Sequence, residues 1–195
     1  MFKYLCNLVN KQPQIFQAGI RIAHMRRLFD LPETVTQRYH VILRSILSSS
    51  MVWKPNATVA AVIEHNKSFL MVEELIDGQR VINQPAGHLE NNESLVEAVI
   101  REVREETARV FHPLAVLGIY RWQHPVKQLT HMRTTFIGNV TDHEPDRVLD
   151  EPIIRAEWLT RDQLQAANLR SPLVLRCIDD YLSGLRYPLA LLQNV

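Results

Sequence analysis

The stretch from Gly87 to Glu106, GHLENNESLVEAVIREVREE, constrains this chain more than any other. Leu95, Val96, Val99 and Val103 recur at helical spacing and predict a helix from about Glu93 to Arg109, with Asn91 and Asn92 as N-cap candidates. At about 100° per residue, with Glu102 set at zero, Glu106 lies near 40° and Glu105 near 300°, so three carboxylates share an arc of about 100°. The valines fall between about 60° and 120°, beside that arc. One edge of the helix packs and the neighbouring edge is acidic. Like charges one turn apart cost about 0.2–0.5 kcal/mol per pair on an exposed helix. They also stand in the C-terminal half, where the helix dipole disfavours negative charge. Local stability is therefore not what they serve. A hard divalent cation relieves both penalties, because Mg²⁺ prefers carboxylate, water and phosphate oxygens. The plainer reading is a solvated acidic face balanced by Arg101 and Arg104.

The rest of the chain from residue 51 reads as an α/β domain. Asn56–Glu64 and Ser68–Glu74 are apolar, β-branched runs separated by His65-Asn66-Lys67, which predicts a hairpin. Asp77-Gly78 is a turn dipeptide, after which Val81–Gln84 extends the sheet up to Pro85. Further strands are expected around Leu114–Gln123, Thr130–Val140 and Arg155–Leu159. Two helices should close the chain. Thr160-Arg161-Asp162-Gln163 has capping-box spacing, Ser171-Pro172 reads as a cap with proline at the first helical position, and Gly184 is a stop.

Charge divides the chain in two. Residues 1–50 carry 7 Lys/Arg against 2 Asp/Glu, or +5, whereas residues 51–195 carry 15 against 19, or −4. The basic first fifty residues fit a targeting arm, a nucleic-acid-binding tail, an accessory helix, or a segment upstream of a natural start at Met51. Domain boundaries are therefore expected at 1–50, a basic N-terminal extension, and 51–195, the working domain. Cys6 and Cys177 lie far apart and outside any CxxC pattern, so a disulfide framework is not indicated and a reducing cytoplasm is the expected location. No apolar run approaches the roughly 18 residues that a membrane-spanning helix needs.

Gly87, Glu93, Arg101, Glu102, Val103, Glu105 and Glu106 match the pattern G-x5-E-x7-R-E-U-x-E-E, where U is bulky and aliphatic. In these residues the chain resembles the Nudix hydrolases. The pattern's closing x-G-U reads Thr107-Ala108-Arg109, so alanine stands where glycine would leave the helix at positive φ. The resemblance implies a Nudix fold, a mixed β-sheet sandwiched between α-helices. It implies that Glu102, Glu105 and Glu106 bind Mg²⁺ or Mn²⁺, with the Gly87 carbonyl as a further ligand. Arg101 would pair with a motif carboxylate, Glu93, and hold the acidic edge in place. The implied reaction is hydrolysis of a diphosphate linkage, with Glu105 or Glu106 as general base, or Asp150 or Glu151 from a downstream loop.

Outside the motif, NQPAGHLE (83–90), NLRSPLV (168–174) and YLSGLRYPL (181–189) look like the phosphatase NudJ branch. That likeness implies a small-molecule phosphoanhydride substrate: a nucleoside di- or triphosphate, or the pyrophosphate of thiamine or of its hydroxymethylpyrimidine precursor. Pro125, sixteen residues past Arg109, is reminiscent of members that hydrolyse ADP-ribose. A Nudix-like regulatory module that binds a nucleotide without cleaving it is the alternative from another class. No membrane partner is expected, a nucleic-acid partner is disfavoured, and the chain is expected to act as a monomer or homodimer.

Three residues outside the motif have chemistry suited to such a substrate. Arg133, at an alternate position in an expected strand, could pair bidentately with phosphate. Trp122, at the end of another strand, could stack on a heteroaromatic ring. Gln84 could read a ring's hydrogen-bonding edge. The plainer readings are a solvated arginine and a core or rim tryptophan. His88, His124 and His131 lack the close spacing of a zinc site.

Overall fold

In a computed structural model, which describes residues 53–194, β1 (Asn56–His65) turns back into β2 (Ser68–Ile76). Asn66 and Lys67 form that turn at φ 52° and 63°, and Asp77-Gly78 form the next at 50° and 78°. Paired positive φ values give the turn twist that matches flanking strands. The expectations for residues 1–50 and for a start at Met51 lie outside the described residues. No helix among the described residues is long and apolar enough to cross a membrane.

After β3 (Gln79–Asn83) and the three-residue β4 (Ala86–His88) comes helix α1 (Leu95–Thr107). Strands β5 (Arg109–Gln123), β6 (Thr130–His143) and β7 (Ile153–Thr160) follow. Helices α2 (Arg161–Ala166) and α3 (Leu173–Leu182) close the fold before a 3-10 turn at Leu189–Leu191. The main path of the seven-stranded sheet runs β3-β2-β1-β6-β5, with β4 joined to β1 and β7 to β2. Among the described strands, β1 and β6 run parallel and the other pairs antiparallel, so the sheet is mixed.

The sheet forks. β1 and β2 pair only next to their turn, at Glu64↔Phe69 and His65↔Ser68. Beyond it β1 takes β4 as its partner (Thr58↔His88, Val59↔Gly87, Ala60↔Ala86), while β2 runs between β3 and β7. Alternation along the strands then fills two separate cores. Val59, Ala61, Ile63 and Leu70 pack with Ala98, Val99 and Val103 of α1, whereas Val62, Phe69 and Met71 pack with Leu164 of α2 and Val174, Cys177 and Ile178 of α3. Each fully buried valine contributes roughly 1.5–3 kcal/mol. The sheet is therefore sandwiched between α1 and the α2–α3 pair.

Three local expectations change. β5 begins at Arg109, not Leu114, and runs through Pro113. It lies at the end of the strand order, where a missing N–H is tolerated, and its register shifts between Pro113 and Ala115. Pro172 is itself the residue before α3, and Ser171 Oγ has no hydrogen-bond partner, so Ser171 is not a side-chain cap. Helix α1 starts after Ser94 rather than after Asn91 or Asn92. Ser94 Oγ accepts from Glu97 N at 3.1 Å and Glu97 Oε2 accepts from Ser94 N at 2.7 Å, closing a capping box.

Candidate active site

Helix α1 turns its valines into the core, and this fixes where its carboxylates stand. Glu102 and Glu106 are each 9% exposed, while Glu105 is partly open. Glu102 lies against Gly87 so closely that a Cβ on that glycine would sit 2.1 Å from the carboxylate. Glu106 Oε2 accepts from the Ala86 N–H at 2.8 Å. The fork in the sheet is what lets β4 reach the helix, since β4 replaces β2 beside β1 there.

Arg101 organises the edge. Its Nε donates to Glu93 Oε2 at 3.0 Å and its Nη2 to Glu93 Oε1 at 2.7 Å. Nη2 also donates to the His88 carbonyl at 3.0 Å, and Nη1 donates to both Glu102 Oε1 (2.8 Å) and Glu105 Oε2 (3.0 Å). These bonds hold the Glu93 carboxyl below the usual carboxylate range and push the Arg101 guanidinium above its own. Burial acts oppositely on the other acids. It raises Glu102, and it raises Glu106 well above the ordinary value, reinforced there by the charges of Glu102 and Glu74. The helix thus carries two acids that are under-neutralised by protein.

Among the described residues, no three His, Cys, Asp or Glu side chains are gathered as a closed metal cage. Arg101 Nη1 occupies the cationic position between Glu102 and Glu105. A hard-oxygen donor set, buried negative charge and a side-chain-free Gly87 facing Glu102 all suit a hard divalent ion. At the C-terminal end of α1, the Asp150 N–H donates to the Glu105 carbonyl at 3.2 Å and the Glu144 N–H to the Ala108 carbonyl at 2.8 Å. Both bonds lay the loop before β7 across the helix end. Ala108 itself leaves the helix at φ 54° and ψ 34°, the left-handed geometry that glycine takes more easily.

On the α3 side of the sheet, register aligns two cross-strand rows. One reads His88, Thr58, Arg133, Tyr120, and the next reads Asn56, His131, Trp122. Trp122 stacks on His131 with centroids 5.7 Å apart and planes at 28°, and His88 and His131 are 6.4 Å apart. At about 4.8 Å per strand, β4 to β5 spans roughly 14 Å. Arg133 is half-buried, with Nε and Nη1 sealed from solvent and lacking a partner. Gln84 is placed differently. It is 0% exposed, its Nε2 donates to the Val174 carbonyl at 2.9 Å, and its carboxamide presents no edge to solvent.

Thr58 and Arg170 were not singled out from sequence as site residues. Thr58 is the partner of both His88 and Arg133, and its Oγ1 is buried and unpartnered. Its place in an apolar strand was a usable signal, because a hydroxyl among valines and alanines marks a polar position on one face. Arg170, which precedes α3, carried no such signal.

The sequence model described as "NUDIX domain" matches residues 54–176. Phosphatase NudJ of Escherichia coli (strain K12) is 42% identical over 144 residues, covering 73% of this chain and 94% of that protein. A NUDIX hydrolase structure from Nitrosomonas europaea is 48% identical and superposes with a TM-score of 0.72, covering 73% of this chain and 98% of its own. The NUDIX domain of Shewanella oneidensis NrtR, complexed with ADP ribose, is 16% identical at a TM-score of 0.58 over 72% of this chain and 97% of its own, and shares the fold alone. With Glu93, Glu102 and Glu105 of the motif drawn together around Arg101 and both the sequence and the fold matched, the chain belongs to the Nudix family, in its NudJ-like branch, and is a hydrolase of phosphoanhydride bonds.

Proposed function

We propose that the chain is a divalent-metal-dependent pyrophosphohydrolase acting on nucleoside di- or triphosphates, or on the pyrophosphates of thiamine and its hydroxymethylpyrimidine precursor. The observation that carries this reading is the intact carboxylate edge: Glu102 lies against Gly87, Arg101 ties Glu102 and Glu105 to Glu93, and Glu106 accepts from the Ala86 N–H. The likeness to Phosphatase NudJ supports the substrate class.

In this reading Glu102, Glu105, Glu106 and the Gly87 carbonyl hold Mg²⁺ or Mn²⁺. The bound ion supplies charge neutralisation for the phosphates and a more acidic water. Glu105 or Glu106 would take the proton of the attacking water, and Asp150 or Glu151, in the loop whose Asp150 N–H bonds the Glu105 carbonyl, is the alternative base. Arg101 keeps the carboxylates from spreading under mutual repulsion. Arg133 pairs with phosphate, and Trp122, stacked on His131, offers its ring to a heteroaromatic group. Gln84 serves indirectly by tying the first turn of α3 to the end of β3. Cytoplasmic location and a monomer or homodimer complete the reading.

A panel of nucleotides, thiamine pyrophosphate and dinucleoside polyphosphates with Mg²⁺, with products identified and ¹⁸O from water located, tests it. Hydrolysis of at least one diphosphate linkage with ¹⁸O in a phosphate product is expected. Tight binding without product across the whole panel would favour a binding module instead.

A further inference from the structure

Two backbone bonds seat the loop between β6 and β7 on the C-terminal end of α1. The Glu144 N–H donates to the Ala108 carbonyl at 2.8 Å and the Asp150 N–H to the Glu105 carbonyl at 3.2 Å. They serve the end at which a helix leaves its last carbonyls unpaired. The far end of the loop is fixed as well, since the Ile153 N–H donates to the Asp150 carbonyl at 2.8 Å and the Leu75 N–H of β2 to the Pro152 carbonyl at 3.1 Å. Asp150 and Glu151 themselves are exposed.

The near end of the loop also carries side-chain bonds. Arg104 Nε and Nη2 both donate to Glu144 Oε1, at 3.1 and 2.8 Å, and Arg147 Nη1 stands 3.5 Å from Glu144 Oε2. The Arg147 N–H donates to the Glu144 carbonyl at 3.0 Å. The bonds from Arg104 hold the Glu144 carboxyl below the usual carboxylate range, so it stays charged near neutrality. Stability does not account for this arrangement. The dipole disfavours negative charge beside a helix C-terminus, and Arg104 is exposed, where an ion pair contributes little. Position does account for it. Arg104 lies between Val103 and Glu105, so the clamp joins the loop to the same stretch of α1 that carries Glu102, Glu105 and Glu106.

We infer that Glu144, clamped by Arg104 and Arg147, is a positioning residue for the hydrolysis: it seats the loop so that Asp150 and Glu151 stand at a fixed place beside the acidic edge of α1. This rests on the hydrolase reading above and deepens it, assigning Glu144 and Arg104, neither of them a metal ligand or a base there, to the placement of its loop carboxylates. Without the clamp the near end of the loop keeps its backbone bond to Ala108 alone, and a reacting group displaced by about 1 Å loses much of its effect.

The test uses the full chain with Mg²⁺ and either ADP or thiamine pyrophosphate, in wild type, Glu144→Ala, Arg104→Met and the double variant. Each single variant should lower kcat roughly tenfold with KM unchanged. The double variant should be no slower than either, because both changes remove one link, and Glu144→Gln, which keeps an acceptor for Arg104, should recover part of the rate. In at least one of Asp150→Asn and Glu151→Gln, adding Glu144→Ala should cost nothing further, which a merely structural role would not produce. Hydrogen exchange on metal-free protein gives a readout without turnover: the Asp150 amide should exchange several-fold faster in Glu144→Ala and Arg104→Met, with the amides of β1 unchanged as the control for folding. Independent losses in the double variant, a raised KM with kcat kept, or unchanged exchange at Asp150 would overturn the assignment. If wild type cleaves neither compound, the hydrolase reading fails, and the exchange rates alone decide whether Glu144 seats the loop.

Discussion

Arg101 holds Glu93 at two points, Nε to Oε2 at 3.0 Å and Nη2 to Oε1 at 2.7 Å. Its third nitrogen, Nη1, thereby stands between Glu102 and Glu105. Lysine is a point charge and cannot make that fork. Arg101→Lys should therefore lower activity about 10–100-fold and raise the Mg²⁺ concentration for half-maximal rate, the usual cost of disturbing residues that orient metal ligands. Initial rates across a Mg²⁺ titration check this, and an unchanged Mg²⁺ requirement would count against the orienting role.

Gly87 gives a second, steric test of the same edge. A methyl there would meet the Glu102 carboxylate at 2.1 Å, so either the carboxylate or β4 must move. Gly87→Ala should lose activity by at least about tenfold, since misplacing a reacting group by about 1 Å can cost a hundredfold. Melting temperature and rate measured on one preparation separate a displaced ligand from a failed fold.

At the helix exit two small effects oppose each other. Ala108 adopts φ 54° and is 3% exposed. Left-handed geometry costs alanine about 1–2 kcal/mol, whereas burying its methyl returns about 0.8 kcal/mol. Ala108→Gly should therefore stabilise the protein by about 0.5 kcal/mol, a rise in Tm of roughly 1–2 °C. Thermal unfolding measures it, and a fall in Tm would mean that the methyl contact outweighs the backbone term.

Glu106 links the site to stability. Burial raises its carboxyl in the folded state, so its contribution to stability is fully present below the unfolded value and is lost as pH rises through the folded one. Without divalent ions, wild type should lose stability over that window. Glu106→Gln keeps an acceptor for the Ala86 N–H but removes the charge. The variant should melt higher than wild type at neutral pH, by roughly 2–4 °C for each kcal/mol relieved. Melts between about pH 4 and 8 in chelator follow this, and an equal pH slope in both proteins would contradict it.

The acidic edge was legible because helical periodicity and charge spacing are both written in one continuous stretch. Its start was misplaced although Ser94-x-x-Glu97 also spells a capping box, because asparagines at 91 and 92 offered an equally good cap by residue type. β4 was not foreseen, since three residues after a proline carry no alternation, and its pairing depends on β1 leaving β2 at the fork. The expected strand began only at Leu114, past Pro113, whereas sheet order reveals that β5 is an edge strand that can carry a proline. The face of the sheet toward α3 was the least legible part. His88, Thr58, Arg133 and Trp122 come from four strands, and only register places them side by side.

The proposed function stands on metal-dependent hydrolysis by the carboxylates of α1. The most direct measurement is the Mg²⁺-dependent turnover of a cleaved diphosphate by wild type, Glu105→Gln and Glu106→Gln, each shown to be folded by its circular dichroism. Turnover should fall by a factor on the order of a hundred or more in at least one variant, in the range expected when general acid–base catalysis is removed. Near wild-type Mg²⁺-dependent turnover in both variants would contradict it.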